Sequence, residues 1–157
     1  MVKVSEFITD PKAMSEGMWV RIDPAKYGDL EILSCGFTDE MLDARSELEW
    51  SAADRLGVDR TRLPNAEQRH INAQLLERYL IRDVRNLEDD EGKTVTVQQF
   101  HRMMYQQGYE QLSSAAWQAA RRISTTTAKQ MEGALGNLLK LSKSSFNGAP
   151  LENNSKA

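Results

Sequence analysis

The stretch Met18-Trp19-Val20-Arg21-Ile22, followed after a short interval by Leu30-Glu31-Ile32-Leu33-Ser34-Cys35, decides the fold class. Both runs are short and rich in β-branched or large apolar residues, and in both apolar positions alternate with polar ones. Between them, Asp23-Pro24 and Tyr27-Gly28-Asp29 supply turn chemistry, so the expectation is an antiparallel strand pair with a longish loop. Val20 and Ile22 share one side, as do Leu30 and Ile32. An isolated hairpin is marginal in water, so this apolar side must rest on helices.

Downstream of Gly36 everything reads as helix. Thr38 is an N-cap, with Asp39 and Glu40 placed well against the helix dipole. Met41, Ala44, Leu48, Ala52 and Leu56 then form a stripe that Gly57 terminates. A second helix is expected from about Pro64 to Leu87, with Ile71, Leu75, Leu76, Tyr79, Leu80, Val84 and Leu87 on one face. The run Glu88-Asp89-Asp90-Glu91-Gly92-Lys93 is a solvated turn, without the spacing of a calcium loop. Thr96 and Gln99 make a capping box for a helix that turns Val97, Phe100, Met103 and Met104 inward, and Gly108 marks its end. Leu112, Ala115, Ala116, Ala119 and Ile123 form the next stripe, and Ala128, Met131, Leu135, Leu138 and Leu139 a last one. In one ideal helix these two stripes would lie roughly 160° apart. Either Ser124 to Thr127 breaks the helix, or the last turns face a different partner. The fold class is therefore mainly α with a small N-terminal β-hairpin (α+β), a bundle of four to five helices. One domain spans 1–141 (strand pair 15–36, helices 38–141), and a disordered tail spans 142–157.

Composition narrows function by exclusion. The 157 residues carry a formal net charge of −3, with 40% hydrophobic and 27% charged residues. That balance disfavours bulk electrostatic attachment to nucleic acid or anionic lipid. Cys35 is the single cysteine, so no internal disulfide can form. No apolar run reaches the roughly 20 residues of a membrane span, and the N-terminus lacks the features of a signal peptide. The expected location is the cytosol.

Catalytic patterns are missing from the sequence: there is no HExxH, no CxxC and no Gly-rich phosphate loop. His70 reads as solvated, His101 as a partly buried, hydrogen-bonded residue, and Cys35 as a small core residue. Three features rise above this background. Asp83 falls inside the apolar arc of the expected helix, which asks for a polar partner and makes it a structural link between two elements. Arg78, Arg82 and Arg85 lie within about 60° of one another on the same helix. They form either a solvated face or, as the alternative, a phosphate-binding face, although no aromatic is interleaved for base stacking. Trp50 and Trp117 stand off their helices' stripes. Trp50 either packs under the hairpin or meets a partner, and Trp117 beside Arg121 is the preferred partner-facing anchor. No metal or cofactor is expected, nor an enzyme.

The order of segments resembles the tail assembly chaperones of long-tailed bacteriophages and prophages, proteins encoded between the tail tube and tape measure genes. Ser15-Glu16-Gly17-Met18-Trp19-Val20 is similar to that group's "EeGvWv" start of a strand pair, and Asp29-Leu30-Glu31-Ile32-Leu33 supplies the second strand. Residues 79–93, from Tyr79-Leu80-Ile81-Arg82-Asp83 to Glu91-Gly92-Lys93, are similar to a helix ending "LLDWeGleDedGKpv", and Thr96-Val97-Gln98-Gln99-Phe100 stands where the next helix starts. Val84 stands for the usual Trp, Asn86 for Gly and Thr94 for Pro. The layout matches over roughly residues 5–139, although the specific motifs are short.

The resemblance implies a non-enzymatic assembly factor of the host cytoplasm, absent from the mature virion. Its partners would be the tape measure protein, the tail tube protein and, through self-association, a second copy. Many such proteins also have a longer product made by ribosomal frameshifting. Helix-in-groove capture would be the mechanism, with Met131, Leu135, Leu138 and Leu139 as the unmatched apolar stripe. Other phage structural or connector proteins, and a nucleic-acid-binding regulator using the arginine face, are the competing readings.

Overall fold

A computed structural model describes residues 1–130. The expected stripe at Met131, Leu135, Leu138 and Leu139 and the tail 142–157 lie outside the described residues. The chain divides into a unit spanning 11–125 and a second made of 1–10 with 126–157. In the second unit, a 3-10 turn at Val4–Phe7 precedes an antiparallel bridge between Thr9 and Thr127, and Lys129 reaches Glu6 at 3.7 Å.

The larger unit is mainly helical with a small antiparallel sheet, an α+β architecture. In order it contains α1 (Pro11–Glu16), β1 (Met18–Arg21), α2 (Pro24–Tyr27), β2 (Glu31–Ser34), α3 (Asp39–Leu56) and a 3-10 turn at Arg60–Arg62. Then follow α4 (Asn65–Leu75), a π turn (Leu76–Leu80), β3 (Ile81–Arg85), α5 (Val97–Met104) and α6 (Glu110–Thr125). Met18 faces Ser34 and Arg21 faces Glu31, so the expected strand pair is present.

The long helix expected from Pro64 to Leu87 is not formed. It stops at Leu75, and the Ile81 amide then donates to the Leu76 carbonyl, a five-residue step that unwinds the last turn. From Ile81 the backbone is extended and pairs with β2, giving the order β1-β2-β3. The physical reason is the register of polar and apolar residues. A continued helix would drive the Asp83 carboxylate into the apolar arc; a strand turns it outward while Ile81 and Val84 stay inside. These two buried residues are three apart, an odd spacing for a strand. The sheet accommodates it with a bulge: Leu33 faces Asp83 but Ser34 faces Ile81, leaving Arg82 unpaired in the ladder.

Val20, Ile32 and Val84 thus stand side by side across the sheet at 5%, 0% and 6% exposure. Ala115, Ala116, Ala119 and Ala120 of α6 are wholly buried, and α6 packs on β1 and β2 while α5 packs on β3. Alanines let the helix approach the sheet closely, and Phe100, Leu75, Leu76 and Leu80 complete a core without solvent access. Local signals hold where the pattern is short-range. Thr38 accepts from the Met41 amide, Gly57 closes α3 at φ 66°, and Thr96 and Gln99 form both bonds of their capping box. The helix break anticipated near Ser124–Thr127 falls after Thr125.

Gly17 joins α1 to β1 at φ 90°, and a Cβ there would stand 3.1 Å from the Ser34 carbonyl oxygen. Gly92 also has positive φ but meets nothing within 4 Å. Gly17→Ala should lower stability in urea unfolding by about 1–3 kcal/mol, and Gly92→Ala by about 1 kcal/mol or less.

Candidate functional site

The side of the molecule built by α3 and α4 carries the features of a binding surface. Met41, Ala52 and Ala53 are the residues of α3 that are fully buried. Leu42, Trp50 and Leu56 are left 47%, 57% and 39% exposed, and Val58 just beyond the helix is 39% exposed. Isolated exposed leucines are ordinary on a protein surface; a tryptophan more than half exposed is not. Trp50 therefore does not pack under the hairpin. Its contact is with Arg60, whose guanidinium lies 5.0 Å from the ring centroid.

Trp117 is placed differently from the expectation of a free anchor. Its ring meets Phe37 at 5.9 Å, and the Arg45 guanidinium lies over it at 5.0 Å. It is half-buried within the molecule, while Arg121 one turn on is exposed. Two grooves adjoin this region. One, of about 270 Å³, is lined by Arg45, Glu49, Arg60, Thr61, Gln68 and Asn72 among others. The second, of about 310 Å³, lies between α4 and the start of α6 and shares Gln68 and Asn72 with the first.

Because 81–85 is strand, Asp83 and the three arginines do not share a helix. Asp83 is exposed, and its Oδ1 accepts from the Val84 amide at 2.8 Å, so among the described residues it links no two elements. Arg78 lies in the π turn. Arg82 occupies the bulge and donates through Nε to Cys35 Sγ at 3.3 Å. Arg85 pairs with Glu31 at 2.9 Å and sits 4.0 Å over the Trp19 ring. The continuous arginine face of the helical reading is absent. On the outer side of the sheet, Trp19, Leu33 and Asp83 form one cross-strand row and Arg21, Glu31 and Arg85 the next. The strand alternation that put Val20 and Ile22 inward implied Trp19 on this side, but the partner Arg85 needed the third strand.

Among the described residues, no group of three or more His, Cys, Asp or Glu is arranged to hold a metal ion. No helix among them is long and apolar enough to cross a membrane. The acidic turn is organised by Asp89, whose Oδ1 accepts from the Glu91 and Lys93 amides at 2.9 Å each. Cys35 is buried, its thiol directed at the Ser15 carbonyl at 3.4 Å. His70 stacks edge-on against Tyr105 at 5.1 Å. His101 is buried, and its Nδ1 bonds to no group among the described residues. Comparison with protein-family models, with curated proteins and with solved structures returned no match.

Burial holds the His101 imidazole below its ordinary value of 6.5, with Glu77 and the Ile81 backbone acting in the opposite direction. The unfolded chain then binds more protons than the folded one between the lowered native pKa and 6.5, so stability falls as pH drops through that window. In urea titrations, the stability difference between wild type and His101→Phe should shift against wild type on going from about pH 7.5 to about pH 5. A difference independent of pH would remove His101 as its source.

Proposed function

We propose that this chain is a non-enzymatic assembly factor of the tail assembly chaperone kind. It would bind the tape measure protein and help recruit tail tube subunits around it. One observation carries the protein-binding part: α3 leaves Leu42, Trp50 and Leu56 exposed, with Val58 following, after the domain has closed its own core. Large aromatic side chains beside apolar neighbours are the usual anchors of a protein interface. An amphipathic client helix laid against α3 would bury these residues along with its own apolar side.

The more specific part draws on the sequence resemblance. The segments that carry it (15–20, 29–33 and 79–93) overlap β1, β2 and β3 in turn, which come together in one sheet. Residues spread over the chain are thus neighbours in space. The third segment has the family-like residues in a strand rather than the end of a helix. The proposed place of action is the host cytoplasm, before the virion is complete.

The test is co-expression with the tape measure protein that this reading requires in the same genome. Soluble complex should form with wild type and weaken by about 30-fold or more with the pair Leu42→Asp and Trp50→Asp. Both side chains are largely exposed, so the fold should tolerate the changes. A client equally soluble and equally bound with the double variant would overturn the reading.

A further inference from the structure

Arg45 is a charged group whose needs the described residues do not meet. It forms no ion pair among them, and its buried Nε has no hydrogen-bond acceptor. A guanidinium is always charged, and a buried donor without an acceptor is among the costlier arrangements in a protein. The side chain is nonetheless held in place: it issues from α3, its guanidinium lies over Trp117, and Phe37 abuts that ring. Arg45 also lines the groove between α3 and α4, and there it has company. Arg60 lies across the same groove, drawn to Glu49 at 3.8 Å and stacked over the exposed Trp50.

The remaining polar groups of the groove are unequal in what they can offer. Thr61 already gives its hydroxyl proton to Asp59 at 2.9 Å, and Gln68 gives one amide proton to the Leu63 carbonyl at 3.1 Å. The Asn72 carboxamide makes no hydrogen bond among the described residues and opens on both grooves. Two guanidinium groups and one carboxylate leave this groove with a charge of +1. A single negative charge balances it, whereas the second charge of a phosphate would meet Glu49.

We propose that this groove is a carboxylate site that takes the side chain of an aspartate or glutamate on a partner polypeptide. Arg45 supplies the unpaired charge, Arg60 a second donor and Asn72 a neutral one. Arg60 joins the site to Trp50, so the fitting partner carries an acidic side chain next to an apolar one. The inference deepens the protein-binding reading by naming the partner's chemistry, but it does not depend on that partner being a tail protein.

The test is titration of the isotope-labelled full chain, following the arginine Nε–H resonances. The probe is N-acetylglutamyl amide, a monoanion, with N-acetylglutaminyl amide and inorganic phosphate as comparisons. The glutamyl probe should shift the Arg45 and Arg60 signals saturably, and the glutaminyl probe should leave them in place. Arg45→Gln should weaken binding by about tenfold or more, the usual consequence of losing a charge-assisted bond. Arg60→Gln alters an exposed side chain, so it should fold normally and weaken binding by about threefold or more, which carries the test if Arg45→Gln does not fold. Equal shifts with the glutaminyl probe, equal shifts at Arg55 and Arg121, or tighter binding of phosphate would each overturn the proposal. Loss of the tape measure interaction alone would leave these shifts untouched, so the two readings fail separately.

Discussion

Between Leu80 and Ile81 the backbone passes from helix to strand, and three parts of the molecule depend on that passage. The sheet gains its third strand, which makes β2 central and gives the Ile32 side chain a neighbour on each flank. The Cys35 amide bonds to the Leu80 carbonyl at 2.8 Å, tying the end of β2 to the last residue of the π turn. The connection onward to α5 then folds back on itself, with the Val95 amide donating to the Leu87 carbonyl at 2.8 Å. Without β3 the strand pair would be a hairpin, too small to hold its own face against α6.

This arrangement separates two surfaces with different chemistry. The inner side of the sheet is filled by aliphatic side chains under the alanines of α6, with the buried Ser34 among them donating to the Cys35 carbonyl at 2.8 Å. The outer side bears the Arg85–Glu31 pair and Trp19, whose large apolar ring is shielded by the Arg85 guanidinium. The same device recurs at Trp50 under Arg60 and Trp117 under Arg45. In each case an arginine covers an indole that the core does not take in. Of these three indoles only that of Trp50 stays more than half exposed, which leaves apolar surface on the α3 side for a partner to bury.

The legibility of the chain followed the range of the interactions. Thr96 with Gln99, Thr38 with Met41 and Gly57 after Leu56 are all settled within four residues, and each appears as the residue types require. The alternation at Val20 and Ile22 likewise named the buried side of β1. Residues 76–87 misled because Leu, Tyr, Leu and Val recur there at helical spacing. The discordant signal was Asp83, a carboxylate in an apolar arc. It marked a fault in the helical reading rather than a buried link. The arginine face shared that fault, since Arg78, Arg82 and Arg85 were neighbours only on a helix that does not exist.

Composition, spacing and caps by themselves determined the class of the fold, the caps that open α3 and α5 and which side of the first two strands is apolar. These depend on rotation per residue and on hydrogen bonds between near neighbours. Tertiary structure decided that 81–85 extends against β2, that Trp117 turns inward onto Phe37 and that the buried Arg45 Nε has no hydrogen-bond partner among the described residues. Each of these outcomes joins groups tens of residues apart. A local preference can be overruled there, because the free energy of closing a sheet over a core exceeds that of adding two turns to a helix.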